Sequence, residues 1–397
     1  MNKTRFIYWM AGVALCACES KEPPQAATQQ AVAQAEEPVK PVEPPKLPAP
    51  PGDPGPVLMQ FSETLPTQIF GAAATEKHIA LALQSDTRDI NLCTQTQLPV
   101  CFRGIGIIAE RLNPNQTKAV VLYEADTQSG SRFDDVAATE DKFVFAIHDG
   151  RYVGDEVKNS LVVVNADASV ERTMALQTPD KHIVQTKLAP WTENRVLACQ
   201  AFVPTEGKPG IICEALDART GKLSPVATIL TSQPVRTLDI AATKDKALVT
   251  WIEAGTAKAA QLKNPNEILE LGSATSMPPH VAAGLDAFAV IWQDDGAQSR
   301  VDRIPFDASL KGMERKTIIL NGIDHRSVNG LVATSKGYVF AFRHQNTQQM
   351  AVIAPDFERW DLIDNSTKWR MLSDYASLDI QEAHTGKVIW QTVESLF

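Results

Sequence analysis

The sequence predicts an all-β protein, and three observations lead to that prediction. First, the chain has seven copies of one pattern, in which an apolar segment, a polar turn and a β-branched or aromatic segment follow one another. Second, beyond residue 56 there are no long segments of helical periodicity. Third, the copies recur about every 50 residues, which leaves room for about four strands in each unit. The copies begin at Gln68, Arg132, Ile183, Val235, Pro278, Ser327 and Ala376.

Repeats of this length with four strands each are typical of β-propeller blades. Within one unit the four predicted strands are VRTLDIAAT, KALVTWIEA, AKAAQLKN and EILELGS, which lie in order between Val235 and Ser273. Small residues such as Ala-Ala-Thr at the end of the first strand suit the crowded axis of a propeller. The sequence therefore predicts a propeller of seven four-stranded blades over residues 57–397, and six or eight blades remain as alternatives.

The last unit is incomplete, because only Glu394 to Phe397 follow the segment KVIWQTV. The segment Val57 to Phe61 precedes the first repeat and has no other strand to pair with. We expect it to supply the missing outer strand and to close the ring, which removes an exposed seam between the first and last blades.

The N-terminus has the features of a secretory signal over residues 1–17: Lys3 and Arg5, then an apolar stretch from Phe6 to Leu15. The segment Leu15-Cys16-Ala17-Cys18 resembles the lipobox of bacterial lipoproteins, with Cys18 at the position of the lipidated cysteine. That resemblance implies a diacylglyceryl thioether and an N-acyl chain on Cys18, enough apolar carbon to anchor the protein to a membrane. In that family an aspartate directly after the lipidated cysteine is often linked to retention in the inner membrane. Here the residue after Cys18 is Glu19, which favours the outer membrane. A plain secretory signal with incidental cysteines is the alternative.

Residues 18–56 are predicted to form a disordered tether. Eleven of the chain's 25 prolines lie here and large apolar residues are almost absent, so the segment cannot build a core. At about 3.1 Å per residue, a fully extended tether would span roughly 100 Å. A proline-rich docking sequence is the alternative.

Four cysteines remain beyond Cys18, and an even count in an exported protein predicts disulfides. Cys93 and Cys101 bracket a short loop, and Cys199 and Cys213 lie on two predicted strands joined by the turn PTEGKPG. A metal site is the alternative, but neither pair has the spacing or the neighbouring histidines of a zinc site.

The formal charge of −9 becomes about −11 when Lys3 and Arg5 are removed with the signal. Such a chain without a Lys/Arg cluster is poorly suited to nucleic acid, because cationic contacts to phosphate supply most of that affinity. The sequence contains no Gly-rich phosphate loop, GxSxG, HExxH, EF-hand or CxxC motif. We therefore predict no catalytic residue, cofactor or metal ligand from the sequence.

The histidines and the acidic pairs are candidates for functional residues. The histidines are scattered about one to a unit and are expected in exposed turns: His78, His148, His182, His280, His325, His344 and His384. The acidic pairs Asp134-Asp135 and Glu140-Asp141 and the turn Asp294-Asp295-Gly296 are expected to be solvated turns, because calcium needs more oxygen ligands than each offers.

The tryptophans fall into two groups, one on predicted second strands and one near loops or outer strands. Trp251, Trp292 and Trp390 are interpreted as equivalent residues on the second strands of three units, where packing between blades is expected and sugar stacking is the alternative. Trp191, Trp360 and Trp369 are expected near loops or outer strands, as candidates for an exposed contact.

Together, the repeats and the lipobox resemble a propeller lipoprotein of a Gram-negative cell envelope, although no specific family is indicated. The blades lack the Gly-His and Trp-Asp marks of WD40 repeats. We expect a monomer, bound to the outer membrane through Cys18, that acts as a non-catalytic scaffold for an envelope protein or peptide. The alternatives are a polysaccharide-binding or carbohydrate-active propeller that uses its axial pocket, and a small-ligand sensor.

Overall fold

The computed structural model describes most of the repeat region. It covers residues 57–60, 67–75, 77–87, 101–110, 117–126, 131–149, 158–176, 181–243, 245–274, 277–321, 323, 328, 330–334, 337–344, 347–363, 369–373, 376–381 and 387–391. The predicted signal, the tether, Cys18 and Cys93 lie outside the described residues.

The described residues form 28 strands. They are β1 Val57–Gln60, β2 Thr67–Ala74, β3 His78–Thr87, β4 Cys101–Glu110, β5 Thr117–Asp126, β6 Arg132–Ala138, β7 Lys142–Asp149, β8 Lys158–Asn165, β9 Val170–Leu176, β10 Lys181–Thr192, β11 Arg195–Pro204, β12 Gly210–Asp217, β13 Leu223–Leu230, β14 Leu238–Thr243, β15 Lys246–Glu253, β16 Thr256–Gln261, β17 Ile268–Ser273, β18 His280–Ala283, β19 Ala287–Gln293, β20 Ser299–Pro305, β21 Lys316–Leu320, β22 Gly330–Thr334, β23 Gly337–His344, β24 Thr347–Ile353, β25 Trp360–Ile363, β26 Trp369–Ser373, β27 Ala376–Gln381 and β28 Lys387–Gln391.

These strands pair into seven four-stranded antiparallel sheets, which are the blades of the propeller. Blades 1 to 6 are β2–β5, β6–β9, β10–β13, β14–β17, β18–β21 and β22–β25, each in sequence order, and blade 7 has the order β1-β28-β27-β26. The first strand of each of blades 1 to 6, together with β26, contacts the corresponding strands of both neighbours, and β26 contacts both β22 and β2. These seven strands therefore surround the axis, and the all-β propeller prediction is confirmed.

Blade 7 confirms one expectation and corrects another. Strand β1 pairs with β28, with Val57 opposite Ile389 and Gln60 opposite Lys387, so an N-terminal strand completes the last sheet as predicted. However, the repeat pattern predicts that the last copy, from Ala376, forms the first and second strands of its unit, whereas it forms the second and third. The innermost strand is Trp369–Ser373, which the repeat pattern did not reveal.

The apolar core lies between blades. Each described core cluster combines residues from two neighbouring sheets: blades 1 and 2, 2 and 3, 3 and 4, 4 and 5, and 5 and 6. Trp251 lies in the cluster between blades 3 and 4, and Trp292 in the cluster between blades 4 and 5. Both are almost fully buried, so the predicted packing role of these two residues is confirmed. Trp390 lies on β28, a third strand, and is not equivalent to them.

The recurring threonine of the Ala-Ala-Thr segment closes the turn between the first and second strands. Thr139 Oγ1 accepts a hydrogen bond from the backbone N–H of Lys142 at 3.0 Å, and Thr75 Oγ1 accepts one from His78 at 2.9 Å. In blade 6, Thr334 Oγ1 donates to the carbonyl of Gly337 at 3.0 Å. The alanines suit the crowded axis as expected, and the threonine serves as a side-chain cap of the turn.

A disulfide joins Cys199 on β11 to Cys213 on β12. The two residues are directly opposite in the antiparallel register, with their Cα atoms 4.1 Å apart, as the hairpin reading of the sequence predicts. Cys101 begins β4, and its proposed partner, Cys93, lies outside the described residues. No helix long and apolar enough to cross a membrane occurs in the described parts of the chain.

Candidate functional site: the axial channel

A cavity of about 780 Å³ lies at the axis of the propeller. The innermost strands of blades 1 to 6 and Val328 line it. Ten of the 30 residues that line it are alanines, which the repeats supply: Ala72, Ala73, Ala74, Ala137, Ala138, Ala189, Ala241, Ala242, Ala282 and Ala283. Small side chains of this kind leave room for the cavity, and its polar lining residues lie near its two ends.

One end of the channel carries four ionisable side chains from four consecutive blades. They are Asp135 on β6, Lys187 on β10, Asp239 on β14 and His280 on β18. Each occupies the same place in its repeat, directly before the apolar residues that lead to the turn between the first and second strands. Lys187 Nζ lies 3.8 Å from Asp135 Oδ2. The repeat therefore brings these groups together although about 40 to 50 residues separate them in sequence.

Side chains at this end of the channel tie the innermost strands of blades 2 and 4 to the next blade. Asp135 Oδ2 accepts a hydrogen bond from the backbone N–H of Leu188 at 2.9 Å. Asp239 Oδ2 accepts one from Val281 at 3.0 Å. The innermost strands belong to different sheets and lack partner strands on the channel side, so their backbone donors need side-chain acceptors. The carboxylates supply them.

The same arrangement links blades 2, 3 and 4 through neighbouring positions. Asp134 Oδ2 accepts from the backbone N–H of Thr186 at 2.8 Å, and Gln185 Oε1 accepts from that of Leu238 at 3.1 Å. A ladder of side-chain acceptors therefore runs from blade 2 to blade 5.

Burial is the largest influence on the pKa values of the ionisable side chains at this end of the channel. It raises the pKa of Asp135 and of Asp239 above the usual range, and Lys187 opposes that shift at both residues. Burial also lowers the pKa of His280 to about 4, with Lys187 acting in the same direction. His280 is therefore neutral at pH 7, and Lys187 is the cation that the carboxylates face.

Asp134, the acceptor beside Asp135 in the ladder, has a buried side chain. Burial raises its pKa to about 6, although Arg132 and the Thr186 N–H favour the charged form. Arg132 Nε donates to Asp134 Oδ1 at 3.1 Å, and His148 Nδ1 lies 4.0 Å from Oδ2. The predicted solvated turn at Asp134-Asp135 is therefore wrong, because both residues lie inside β6 and their side chains are only 2% and 19% exposed.

The other end of the channel is formed by the turns between first and second strands, and we call this surface the turn face. Glu140 and Glu193 line the cavity there, together with Thr75, Thr139 and Thr192. The backbone N–H of Glu140 donates to the carbonyl of Glu193 at 2.8 Å, so the two acidic turns are adjacent. Leu285, in the turn of blade 5, is 79% exposed, the highest value among the exposed large apolar residues described.

The remaining histidines and acidic turns follow the predictions in part. His182 is exposed and His78 partly so, but His148 and His280 lie in strands facing the interior, which corrects the expectation of exposed turns. His344 lies in β23, and His325 and His384 fall outside the described residues. Glu140 and Asp141 are in an exposed turn as expected.

The turn at Asp294 differs from the expected solvated loop. Asp294 is 8% exposed, accepts from the backbone N–H of Gln298 at 2.8 Å, and pairs with Arg300 at 2.7 Å. Asp295 and Gly296 are exposed. Asp294 thus serves as a turn acceptor, held by protein donors.

The tryptophans predicted near loops or outer strands follow that prediction in part. Trp191 lies near the end of the innermost strand β10, and its ring is partly buried against the cluster between blades 3 and 4. Trp360 begins β25 and packs partly against the cluster between blades 5 and 6. Trp369 begins β26, an innermost strand. Trp360 therefore lies at the start of an outer strand as predicted, whereas Trp191 lies in an innermost strand, and both side chains remain partly exposed.

The chemistry that this channel offers is hydrogen bonding and charge complementarity. Asp135 also accepts from its own neighbour, the Val136 N–H, at 2.9 Å, so both of its oxygens are engaged. Among the described residues, no three His, Cys, Asp or Glu side chains are grouped to hold a metal ion. Sequence reasoning missed the ladder, although the acidic residue ahead of Val-Ala-Ala and Ile-Ala-Ala in two repeats was a signal for it.

Comparison with known proteins identifies the fold and no family. No protein-family model matches this chain, and no curated protein sequence matches it. Among solved structures, the RRP9 WD40 repeats align with a TM-score of 0.52 at 12% identity, over 87% of this chain and 100% of that chain. U3-55K aligns with a TM-score of 0.50 at 11% identity, over 86% and 99% of the two chains. The fold is a β-propeller.

The β-propeller domain of the trilobed protease from Pyrococcus furiosus aligns with a TM-score of 0.49 at 8% identity, over 82% of this chain and 95% of that chain. At identities this low, the similarities establish architecture and leave activity open.

Proposed function

We propose that this protein is a non-catalytic binding module that holds a protein or peptide partner on its turn face. The observation that carries the proposal is that the turn face holds both an exposed apolar residue, Leu285 in blade 5, and two acidic residues at the cavity, Glu140 and Glu193, whose turns in blades 2 and 3 are adjacent to each other. Apolar anchors with charged surroundings are typical of partner-binding surfaces. The carboxylates at the other end support the same reading, because Asp135 and Asp239 already bind backbone N–H groups.

The proposed location is the cell envelope. Lipidation at Cys18 and a tether over residues 18–56 would hold the propeller within roughly 100 Å of the membrane. A rigid disk on a long tether suits a scaffold, since the tether provides reach and the disk provides a fixed surface.

The experiment is crosslinking in cells that produce the protein, followed by purification of the full chain. We expect a partner whose yield falls at least several-fold in Leu285→Ser and in the double variant Glu140→Gln/Glu193→Gln. Matched controls are Leu230→Ser, at the end of the outer strand β13, and Glu206→Gln, in the exposed β11–β12 turn. Equal loss in the controls, or no loss in the turn-face variants, would contradict the proposal.

A second function, binding or cleavage of a polysaccharide in the axial channel, is favoured by one observation. Asp135 and Asp239 converge at one end of the cavity with Lys187. The test is binding and hydrolysis of envelope polysaccharides by the full chain and by Asp135→Asn/Asp239→Asn. Activity that disappears in this variant while the fold persists would support the second function over the first.

A further inference from the structure

A group of buried polar side chains lies between blades 2 and 3, away from the channel wall. It contains Asn159 on β8, Thr186 on β10 and Gln200 on β11, and we call it the polar seam. Asn159 lies opposite Leu176, and Gln200 is two residues from Ala198; both apolar residues belong to the cluster between these two blades. Because alternate residues of a strand share a face, Asn159 and Gln200 face the same seam from opposite sides.

Three polar residues of the seam are almost completely buried and incompletely bonded. Asn159 and Thr186 are each 1% exposed, and Gln200 is 0% exposed. Asn159 Nδ2 and Oδ1, Thr186 Oγ1 and Gln200 Oε1 have no protein partner within hydrogen-bonding distance. Rotating the Asn159 amide so that its oxygen and nitrogen exchange places does not remove the problem, because neither atom has a hydrogen-bond partner in the protein. Buried polar atoms are nearly always satisfied in folded proteins, by protein or by ordered solvent.

The seam is continuous with groups that are bonded. Thr186 lies directly opposite Gln200 in the register, and its backbone N–H donates to Asp134. Gln200 Nε2 lies 3.5 Å from Glu214 Oε2. Asn159 lies directly opposite His148, whose ring is 4.0 Å from Asp134. The incompletely bonded atoms therefore belong to one polar layer that crosses from blade 2 to blade 3.

The mixture of donors and acceptors selects the ligand. A metal ion would satisfy the oxygens of Asn159, Thr186 and Gln200 but would leave the Asn159 amide N–H groups without an acceptor. Water both donates and accepts, and a buried water typically makes about three hydrogen bonds to such groups. We infer that the polar seam is a binding site for ordered water molecules that bridge blades 2 and 3 through Asn159, Thr186 and Gln200.

The sign of a stability change tests the inference in the full chain. Thr186→Val keeps the side-chain shape and removes Oγ1. If water binds Oγ1, the variant loses a hydrogen bond and its Tm falls by about 2 °C or more. If Oγ1 is truly unbonded, removing a buried polar atom raises the Tm, and that result would overturn the inference.

Two matched threonines calibrate this measurement. Thr250 is 0% exposed and its Oγ1 donates to the carbonyl of Asp239 at 3.4 Å, so Thr250→Val should lower the Tm. Thr173 is exposed on β9, so Thr173→Val should leave it nearly unchanged.

A direct observation completes the test. Water-¹⁷O magnetic relaxation dispersion should show long-lived waters in the full chain and fewer in Asn159→Leu. A high-resolution crystal structure should show solvent peaks about 2.9 Å from the three side chains. Identical dispersion in the two proteins, a dry seam, or a peak with several oxygens at about 2.4 Å, the distance of a cation, would each overturn the inference.

Discussion

Single carboxylates hold neighbouring blades together in this protein. Asp135 and Asp239 occupy the same position in two repeats, and each accepts the backbone N–H of the next innermost strand. Their pKa is raised because burial disfavours the charge more than Lys187 favours it. Acidic residues that an active-site search would select thus have a structural role that sequence spacing alone does not reveal.

Removing one of these acceptors should destabilise the ring. Asp239→Ala leaves the N–H of Val281 buried without its partner, and we expect the free energy of unfolding to fall by about 1 to 3 kcal/mol. Urea denaturation measures it. Asp245→Ala, in an exposed turn of the same blade, is the control and should change little. Equal effects at both positions would show that the hydrogen bond to blade 5 is unimportant.

Asp134 predicts a pH dependence of stability. Its pKa is raised from 3.8 to about 6 by burial, so the folded state binds this proton more tightly than the unfolded state. The associated stability is present below about pH 4 and is lost as the pH rises through about 6. A shift of this size corresponds to about 3 kcal/mol.

The measurement is the difference in unfolding free energy between wild type and Asp134→Asn at several pH values. The variant does not titrate at this position. We therefore expect the wild type to lose stability relative to the variant between about pH 4 and 6. A difference that stays constant with pH would refute the raised pKa.

At the scale of strands, the repeat predicted most elements and misassigned the last. The four strands named within the blade 4 unit correspond to β14, β15, β16 and β17. In blade 7, an apolar-turn-apolar pattern fits any two consecutive strands, so the copy from Ala376 matched the second and third as well as the first and second. Only the position of Trp369–Ser373 beside β22 and β2 identified the innermost strand.

Strand β1 should be required for a stable last blade. A chain that begins at residue 61 lacks Val57–Gln60 and exposes the pairing edge of β28. We expect a lower Tm and increased aggregation relative to a chain that begins at residue 57, because an open strand edge invites pairing with other molecules. Thermal unfolding and light scattering of the two proteins provide the measurement. Indistinguishable behaviour would mean that β1 does not contribute to closure.

The β11–β12 hairpin should depend on its disulfide. The two cysteines are separated by 14 residues and are buried in the cluster between blades 3 and 4. In Cys199→Ala/Cys213→Ala, we expect the free energy of unfolding to fall by about 3 kcal/mol. Denaturation under non-reducing conditions measures it. Retention of full stability in the double variant would contradict this expectation.

At the scale of the whole molecule, composition separates a tether from a folded body. The Pro-rich segment before residue 57 has almost no apolar residues to bury, whereas the described blades share apolar clusters across most of their interfaces. Limited proteolysis should therefore remove the N-terminal segment first and leave a resistant fragment that begins near residue 57. Mass spectrometry identifies its start, and early cleavage within the blades would contradict the assignment.

The sequence by itself determined the all-β class, the propeller architecture, the closing N-terminal strand and the Cys199–Cys213 hairpin. The strands, the repeat and the hairpin depend on alternation and repetition, which are local and visible in the letters. The closing strand pairs with a distant part of the chain, but it was predictable because the last unit lacks one strand and one strand precedes the first unit. Tertiary structure alone decided which polar residues meet. Asp135, Lys187, Asp239 and His280 converge because the ring brings equivalent positions of successive blades together, and burial, which no sequence pattern measures, then sets their protonation.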